Sequence, residues 1–350
     1  MKPVALGVIG CGVIGRVHLG IAAQSPLVEV VAVADLIPER VEAAAKEHGI
    51  ATTYAQGSEL LDDPAIEAVI LALPTNVRGA LALKAFAKGL HALIEKPIAM
   101  DAAEAEKLIE ARGDLVAVCG CSRQRFMESA RAATEFVATG ALGEIRMVRC
   151  RAISAAGKAP ETSPPEWRLK RALNGGGIMM NWGCYDLDYV LGVAGWALKP
   201  EVVLAQTWTV PPVYEANVAA GSDAETQVAA LIRCEGGAVL HYERGEYMPA
   251  TNEGDWVISG TKGSLHLHLT DAGAAIVFDE GDAAEGVRSR VVWEAAGEGK
   301  NVFLAHLEDF ARAVREGKRP GTELEKVLVV QRITDAIYAS AREGTAVTVA

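Results

Sequence analysis

The chain has 350 residues, a formal net charge of −11 and a pI near 5.2, which is too long for one ordinary core and fits two domains. Half of the residues are hydrophobic and 23% are charged, a globular balance that leaves no room for wholesale disorder. The acidic balance, with no run of Lys or Arg, excludes nucleic acid and anionic membrane as expected partners, and apolar stretches such as Ala68–Leu73 fall far short of a bilayer span.

Met1-Lys2-Pro3 leads straight into an apolar run with no signal-peptide pattern, so a cytoplasmic address is expected. The first third then alternates β-branched runs with amphipathic stretches. Strands are predicted at Val4–Ile9, Val28–Ala34, Ala68–Leu73, His91–Glu95 and Leu115–Cys121; their near-continuous apolar character suits strands buried on both faces. Helices are predicted at Val13–Ala23, Pro38–His48, Arg78–Lys88 and Asp101–Arg112, with Lys88-Gly89 as a stop and Asp101 as an N-cap. This alternation implies a doubly wound parallel sheet, a Rossmann-type α/β domain over residues 1–122.

The rhythm changes in residues 123–350. Ser129–Thr139 reads as a linking helix and Gly143–Ala152 as a long strand, followed by a polar, Pro-rich stretch from Ser154 to Leu173 and a helix over Gly177–Leu191. Closely spaced strands follow at Val202–Thr209, Thr226–Arg233, Ala238–Arg244, Trp256–Ser259, Ser264–Leu269 and Val287–Trp293, which predicts an α+β domain with a mostly antiparallel open sheet. Helices at Asn301–Glu316 and Thr322–Arg342 close the chain, the second opened by a Thr322/Glu325 capping box. An open sheet needs its exposed face covered, so a homodimer or homotetramer through it is expected.

The six cysteines are scattered, as reduced core thiols would be, and no His or further Cys stands near Cys119 and Cys121 to complete a zinc site. His266 and His268 share a strand face, which reads as solvated. No metal is expected.

Three motifs carry chemistry. Gly10-Cys11-Gly12-Val13-Ile14-Gly15 follows the first strand and opens the first helix. In such a turn the first glycine permits the sharp bend, the second lets backbone approach a pyrophosphate, and the third lets helix and strand pack closely. The helix N-terminus then presents N–H groups to the diphosphate. Asp35 ends the second strand, 20 positions after Gly15, where a carboxylate can bind the adenosine ribose hydroxyls and repel a 2′-phosphate. NAD is therefore expected over NADP, although Arg40 could accommodate that phosphate and a turn-forming Asp before Pro38 is the other reading of the residue.

Glu95-Lys96-Pro97 stands at the carboxyl end of a predicted strand, where ligands of open parallel sheets bind, and Leu73-Pro74-Thr75-Asn76 ends another strand on the same edge. Both read as cofactor rim, with Lys96 where a nicotinamide ring would lie. The third motif runs from Gly175-Gly176-Gly177 through Asn181 and Tyr185 to Asp188. Glycines opening a helix allow a ligand near backbone, and Asn181 and Tyr185, four apart, share a helix face. An ordinary buried helix is the alternative.

Together these motifs resemble the glucose–fructose oxidoreductase / inositol dehydrogenase / rhizopine-catabolism (Gfo/Idh/MocA) family, and the likeness runs over nearly the whole chain. The resemblance implies a Rossmann domain joined to an α+β domain, and an enzyme that oxidises or reduces a hydroxyl or carbonyl on sugars, inositols and related polyols. It implies that Lys96 is the catalytic lysine, that Gly10, Gly12 and Gly15 bind the cofactor, and that Trp167-Arg168 is the pair often found near the nicotinamide. Many relatives have Asp where this chain has Asn181, and His where it has Tyr185; a Tyr occurs in the glucose–fructose oxidoreductase and dihydrodiol dehydrogenase branches and keeps an acid/base role. The expected site is thus Lys96 and Tyr185 as catalytic residues, Asn181 orienting substrate with them, and Gly10, Gly12, Val13, Ile14, Gly15, Asp35, Leu73, Pro74, Thr75, Asn76, Glu95, Lys96, Trp167 and Arg168 around the cofactor. Two other readings stay open: an NAD-dependent glycosidase that oxidises a sugar hydroxyl transiently, and a non-catalytic NAD(H)-sensing protein.

Overall fold

The computed structural model describes residues 2–162, 164–269, 275–297, 299 and 301–350. It divides into two compact units, Met1–Arg123 with Asn301–Leu328, and Gln124–Lys300 with Val329–Ala350.

The first unit is a parallel sheet of six strands wrapped by helices. The elements run β1 (Val4–Ile9), α1 (Val13–Ala22), β2 (Val28–Ala34), α2 (Pro38–His48), β3 (Thr52–Tyr54), α3 (Gly57–Leu60), β4 (Ala68–Leu71), α4 (Thr75–Ala87), β5 (His91–Ile94), α5 (Ala102–Arg112) and β6 (Ala117–Cys119), with spatial order β3-β2-β1-β4-β5-β6. The order reverses between β1 and β4, which marks the topological switch point. Asp101 caps α5 as its sequence position suggests, its side chain accepting from Glu104 N. The strand predicted to reach Cys121 stops at Cys119 and tightens into a 3-10 turn, Gly120–Phe126, with Cys119 and Cys121 as buried free thiols 3.4 Å apart.

The second unit contains α6 (Glu128–Ala138), β7 (Ile145–Ala155), α7 (Arg171–Asn174), a π-helical turn (Met179–Gly183), α8 (Cys184–Val193), and strands β8 (Pro200–Trp208), β9 (Gln227–Cys234), β10 (Val239–Met248), β11 (Glu253–Gly260), β12 (Gly263–Leu267), β13 (Ala275–Asp282) and β14 (Gly286–Glu294). After α9 (Val302–Glu316) and α10 (Leu324–Glu343), the short β15 (Val347–Thr348) completes a nine-stranded sheet, β14-β13-β12-β11-β7-β10-β9-β8-β15, antiparallel except at β7–β10. Strand β13 and the two-residue β15 have no counterpart in the sequence reading. Every residue of α8 is buried, and it meets the sheet through Asp186 on Tyr242 and Arg244 and through the Tyr189 ring against Trp256.

The division differs from a single cut at residue 122/123, because α9 returns to the first unit. Leu307, Phe310 and Ala311 sit in the same core as Val4, Leu6, Val33 and Val118. Each large side chain buried there contributes about 1.5–3 kcal/mol, and Arg315 adds bonds to Lys2 O (2.7 Å), Pro3 O and Glu67. Chain order is no guide to such a long-range return. Helix α10 starts at Leu324; Thr322 before it is buried with its hydroxyl 3.3 Å from His306 Nε2, and Glu325 takes Arg112 at 2.7 Å.

Candidate active site

All strands of the first sheet are parallel, so the segments leaving β1, β2, β4 and β5 lie on one edge, and these carry the glycine turn, Asp35, Leu73–Asn76 and Lys96. The glycines divide by what surrounds them. Gly10 has φ +99°, and a Cβ there would come within 2.3 Å of Ala72 O; one on Gly15 would come within 1.8 Å of Gly10 O. Those two glycines serve the protein's own packing. Gly12 differs: a Cβ there would meet only Arg40 Nη1, at 3.9 Å, its φ is −72°, and no side chain caps α1 behind it. The open face at Gly12, with Val13 exposed and Ile14 half-buried beside it, is the approach a diphosphate requires.

Asp35 receives Cys11 N–H at 2.7 Å on one carboxylate oxygen and Ile37 N–H at 2.9 Å on the other, which holds it at the end of β2 with further lone pairs for a ribose diol. Burial, then the charge of Asp35, pushes the neighbouring Cys11 thiol up to about 11 against the opposing pull of Arg40. The thiol therefore stays protonated, and Arg40 stands near this strand end.

Arg78, which the sequence reading passed over, ties two of these segments together. It is buried at the first turns of α4 and donates to Leu73 O (2.6 Å), Thr75 Oγ1 (3.3 Å) and Pro97 O. Pro74 and Thr75 open α4, with Thr75 buried and Asn76 exposed.

Glu95 faces inward. It is buried, with Oε1 2.9 Å from His18 Nε2 and 3.1 Å from Arg123 Nη1, and its Oε2 accepts Lys96 N–H at 2.9 Å. Burial alone would raise its carboxyl, but Arg123, then His18 and Lys96, outweigh it and hold the group well below the ordinary carboxylate range. Its place is an anchor beneath Lys96, and the Arg123 guanidinium lies in turn over Phe303 at 4.0 Å. Lys96 itself is half-buried, and its bond to Pro97 is cis. The signal for His18 and Arg123 was a charged residue following the apolar run Ala92–Ile94, which demands a buried counter-charge, but sequence spacing could not say which.

In the second unit, Asn181 lies in the π turn, half-buried, and Tyr185 in the first turn of α8, buried. The glycines before them serve packing. A Cβ on Gly176 would meet the Tyr338 hydroxyl at 1.9 Å, and one on Gly177 would meet Glu225 O at 1.8 Å. The backbone N–H groups of this segment are taken by the Glu225 carboxylate, which accepts from Gly177 N (3.0 Å) and Met179 N (3.1 Å) and also holds the Tyr338 hydroxyl at 2.7 Å. The expectation of a ligand against this glycine backbone is thus replaced by a buried side chain 48 residues away.

Tyr185 packs its ring 5.6 Å from Trp182, and Arg244 lies 4.6 Å over the other ring. Arg244 pairs with Asp186 at 3.3 Å, and the Tyr242 hydroxyl donates to Asp186 at 2.9 Å. Burial raises the Asp186 carboxyl to about 6 despite Arg244 and Tyr242. Asp188 turns away to Arg125 at 2.8 Å. Arg168 is drawn onto β10, donating to the Tyr247 hydroxyl at 2.7 Å and to Glu246, while Trp167 is exposed. Within the Ser154–Leu173 stretch, Ser163 lies outside the described residues. Beyond the site, His266 has a carboxylate partner that the sequence reading did not find, Asp279 on the adjoining strand at 2.8 Å. No group of three or more metal-ligating side chains occurs among the described residues, and none of the described helices is long and apolar enough to cross a membrane.

Comparison with known proteins agrees with this architecture. Residues 4–136 match the family model of the Gfo/Idh/MocA oxidoreductases, NAD-binding Rossmann fold, and residues 130–266 match a C-terminal domain of the same family. D-xylose 1-dehydrogenase (NADP(+)) 2 of Haloferax volcanii is 28% identical, over 96% of this chain and 98% of that protein. Myo-inositol 2-dehydrogenase of Thermotoga maritima is 24% identical, over 91% of each. The structure of levoglucosan dehydrogenase in complex with NADH and L-sorbose superposes with a TM-score of 0.87 at 23% identity, covering 100% of both chains. With its switch-point glycine turn, its Glu-Lys-Pro strand end and its large mixed sheet, the chain belongs to the Gfo/Idh/MocA family of NAD-binding oxidoreductases.

Proposed function

We propose that this protein transfers a hydride between NAD(H) and a hydroxyl or carbonyl of a sugar, an inositol or a related polyol. The observation that carries the reading is Lys96 at the carboxyl end of β5, its backbone held by buried Glu95, on the sheet edge that also bears the glycine turn and Asp35. The relatives named for xylose and inositol dehydrogenation support the substrate class.

NAD(H), when bound at the Gly10–Gly15 turn and Asp35, would supply the hydride-exchange chemistry. Lys96 stabilises the negative charge that develops on the substrate oxygen. Tyr185 gives or takes the hydroxyl proton, and Asn181, which has no proton to exchange, holds a substrate hydroxyl through its carboxamide. Asp35 and the Gly10–Gly15 turn hold the dinucleotide. The same reading includes self-association through the open face of the nine-stranded sheet, where Leu204 lies opposite Leu231 and both are exposed, with Trp208 and Met147 on that face.

The test is NAD⁺ reduction across a panel of aldoses, inositols and sugar acids, with size-exclusion light scattering for the assembly. Turnover of a neutral polyol supports the reading. Aglycone release from glycosides without net NADH would replace it with redox-assisted glycosidic cleavage. Tight NAD(H) binding with no turnover on any member would replace it with a sensor.

A further inference from the structure

The buried face of α1 consists of Gly15, His18, Leu19, Ile21 and Ala22, and His18 is its one polar side chain. Leu19, Ile21 and Ala22 lie in the apolar core of the first unit, where another aliphatic residue would pack without the cost of burying an imidazole. What the ring touches explains its presence. His18 is 3% exposed, its Nε2 lies 2.9 Å from Glu95 Oε1, and its ring stands edge-on to Phe303 at 5.8 Å between centroids. Against the penalty of burial, Arg123, then His18 and Lys96, keep Glu95 an anion. Both of its oxygens therefore accept, and His18 Nε2 carries the proton of this hydrogen bond.

The two carboxylate oxygens have separate tasks. Oε1 takes His18 from α1 and Arg123 Nη1, at 3.1 Å, from the 3-10 turn after β6, while Oε2 takes Lys96 N–H at 2.9 Å. The carboxylate is planar, so gripping Oε1 from two elements sets where Oε2 stands, and with it the backbone from which the Lys96 side chain leaves. Gly120 closes the same space: a Cβ there would come within 3.0 Å of the Glu95 carboxylate and of Arg123 Nη1. Helix α1 begins just after Gly12, and His18 follows that glycine by roughly 9 Å along the helix axis. One helix thus carries both the open glycine face and the hydrogen bond that reaches toward Lys96.

We infer that His18 is a positioning residue for hydride transfer: through Glu95 it fixes the Lys96 backbone relative to the helix whose N-terminus receives the dinucleotide. This inference rests on the function proposed above, in which Lys96 meets the developing oxyanion. A misplacement of about 1 Å in such a group can cost ~10² in rate. Without His18, Arg123 still holds Glu95 Oε1 and Arg78 still holds Pro97 O, so the loss expected is smaller, about tenfold, and falls on kcat, because the interaction is made in the transition state.

The experiment compares wild type with His18→Gln, His18→Asn and His18→Leu. Gln places an N–H donor the same number of bonds from the backbone as His Nε2, Asn carries the same amide one bond short, and Leu removes the donor. The first readout needs no activity: hydrogen exchange of the Lys96 amide by NMR, without added ligand, relative to the core amides of Leu93 and Ile94. Expected is relative exchange about tenfold faster or more in His18→Leu and His18→Asn, and within about threefold of wild type in His18→Gln. Turnover on whichever polyol the wild type accepts should follow the same order, kcat falling about tenfold in the first two with KM and NAD(H) affinity within about threefold. Equal Lys96 exchange in all four proteins would overturn the inference. So would a His18→Gln protein as impaired as His18→Leu, which marks a packing role for the ring, or a loss confined to KM. A wild type without turnover, or a fully active Lys96→Ala protein, would remove the function itself, and the exchange measurement would still decide whether His18 holds the Lys96 backbone.

Discussion

Lys96 and Glu95 are adjacent in sequence and serve opposite ends of the same requirement. On the proposed reading Lys96 faces a developing oxyanion, while buried Glu95 locks the backbone that carries it, its carboxylate paired with Arg123 and hydrogen-bonded to His18. Lys96→Ala is therefore expected to lower kcat on the order of 10²–10³ while NAD(H) affinity, measured by titration, changes little. Tyr185→Phe should cost turnover and remove the basic limb of the pH–rate profile; full activity with an unchanged profile would strike Tyr185 from the mechanism. Asp35 invites a second measurement. Its carboxylate is held by two backbone N–H groups, so it cannot easily swing away from a 2′-phosphate. NAD(H) should bind more tightly than NADP(H), and Asp35→Ser should narrow the gap. Tighter NADP(H) binding by the wild type would show that Arg40 governs this strand end.

Helix α1 and the turn before it show how one motif mixes fold and function. Gly15 lets α1 lie against the turn, because a Cβ there would come within 1.8 Å of Gly10 O. Gly12 sits at an ordinary φ and a Cβ there would meet nothing closer than Arg40 Nη1 at 3.9 Å, so replacing it brings no clash and at most the small cost of a poorer N-cap. Gly12→Ala should keep the wild-type melting temperature yet weaken NAD(H) at least tenfold, about 1.4 kcal/mol, because the methyl enters the path of the diphosphate. Gly15→Ala should do the reverse, lowering the melting temperature first. If Gly12→Ala bound NAD(H) normally, the diphosphate would have to lie elsewhere. The motif around Gly175–Gly177 teaches the opposite lesson. It looks like a ligand turn, but its glycines admit Tyr338 and Glu225, residues far along the chain that no local spacing announces.

At the scale of the molecule, α9 belongs to the first unit through its apolar face and through Arg315, which reaches Lys2 O, Pro3 O and Glu67. The hydrogen bond from Arg315 leads the causes that draw the Glu67 carboxyl down from 4.5 to about 2. A depressed acid stabilises the fold above its unfolded value and loses that contribution as pH falls toward the folded one. Wild type should thus exceed Glu67→Gln in urea midpoint at pH 7, and the gap should close between pH 4.5 and 2. Glu67 is 35% exposed at its side chain, so solvent screening limits the difference to about 1 kcal/mol or less. A gap independent of pH would assign the effect to packing. The sequence by itself determined the elements whose cause is local: the paired glycines at a strand end, the alternation of buried strands with helices, the Asp101 cap, and the Lys96 strand end. Hydrophobic period and turn chemistry act over a few residues, so they are readable in order. What only the tertiary structure decided are the pairings between distant residues: Glu95 with His18 and Arg123, Glu225 with the Gly177 backbone, Arg168 with Glu246, and the return of α9 to the first core. A buried charge requires a partner but does not name one, because many arrangements of the chain could bring a counter-charge to the same place, and only the fold selects among them.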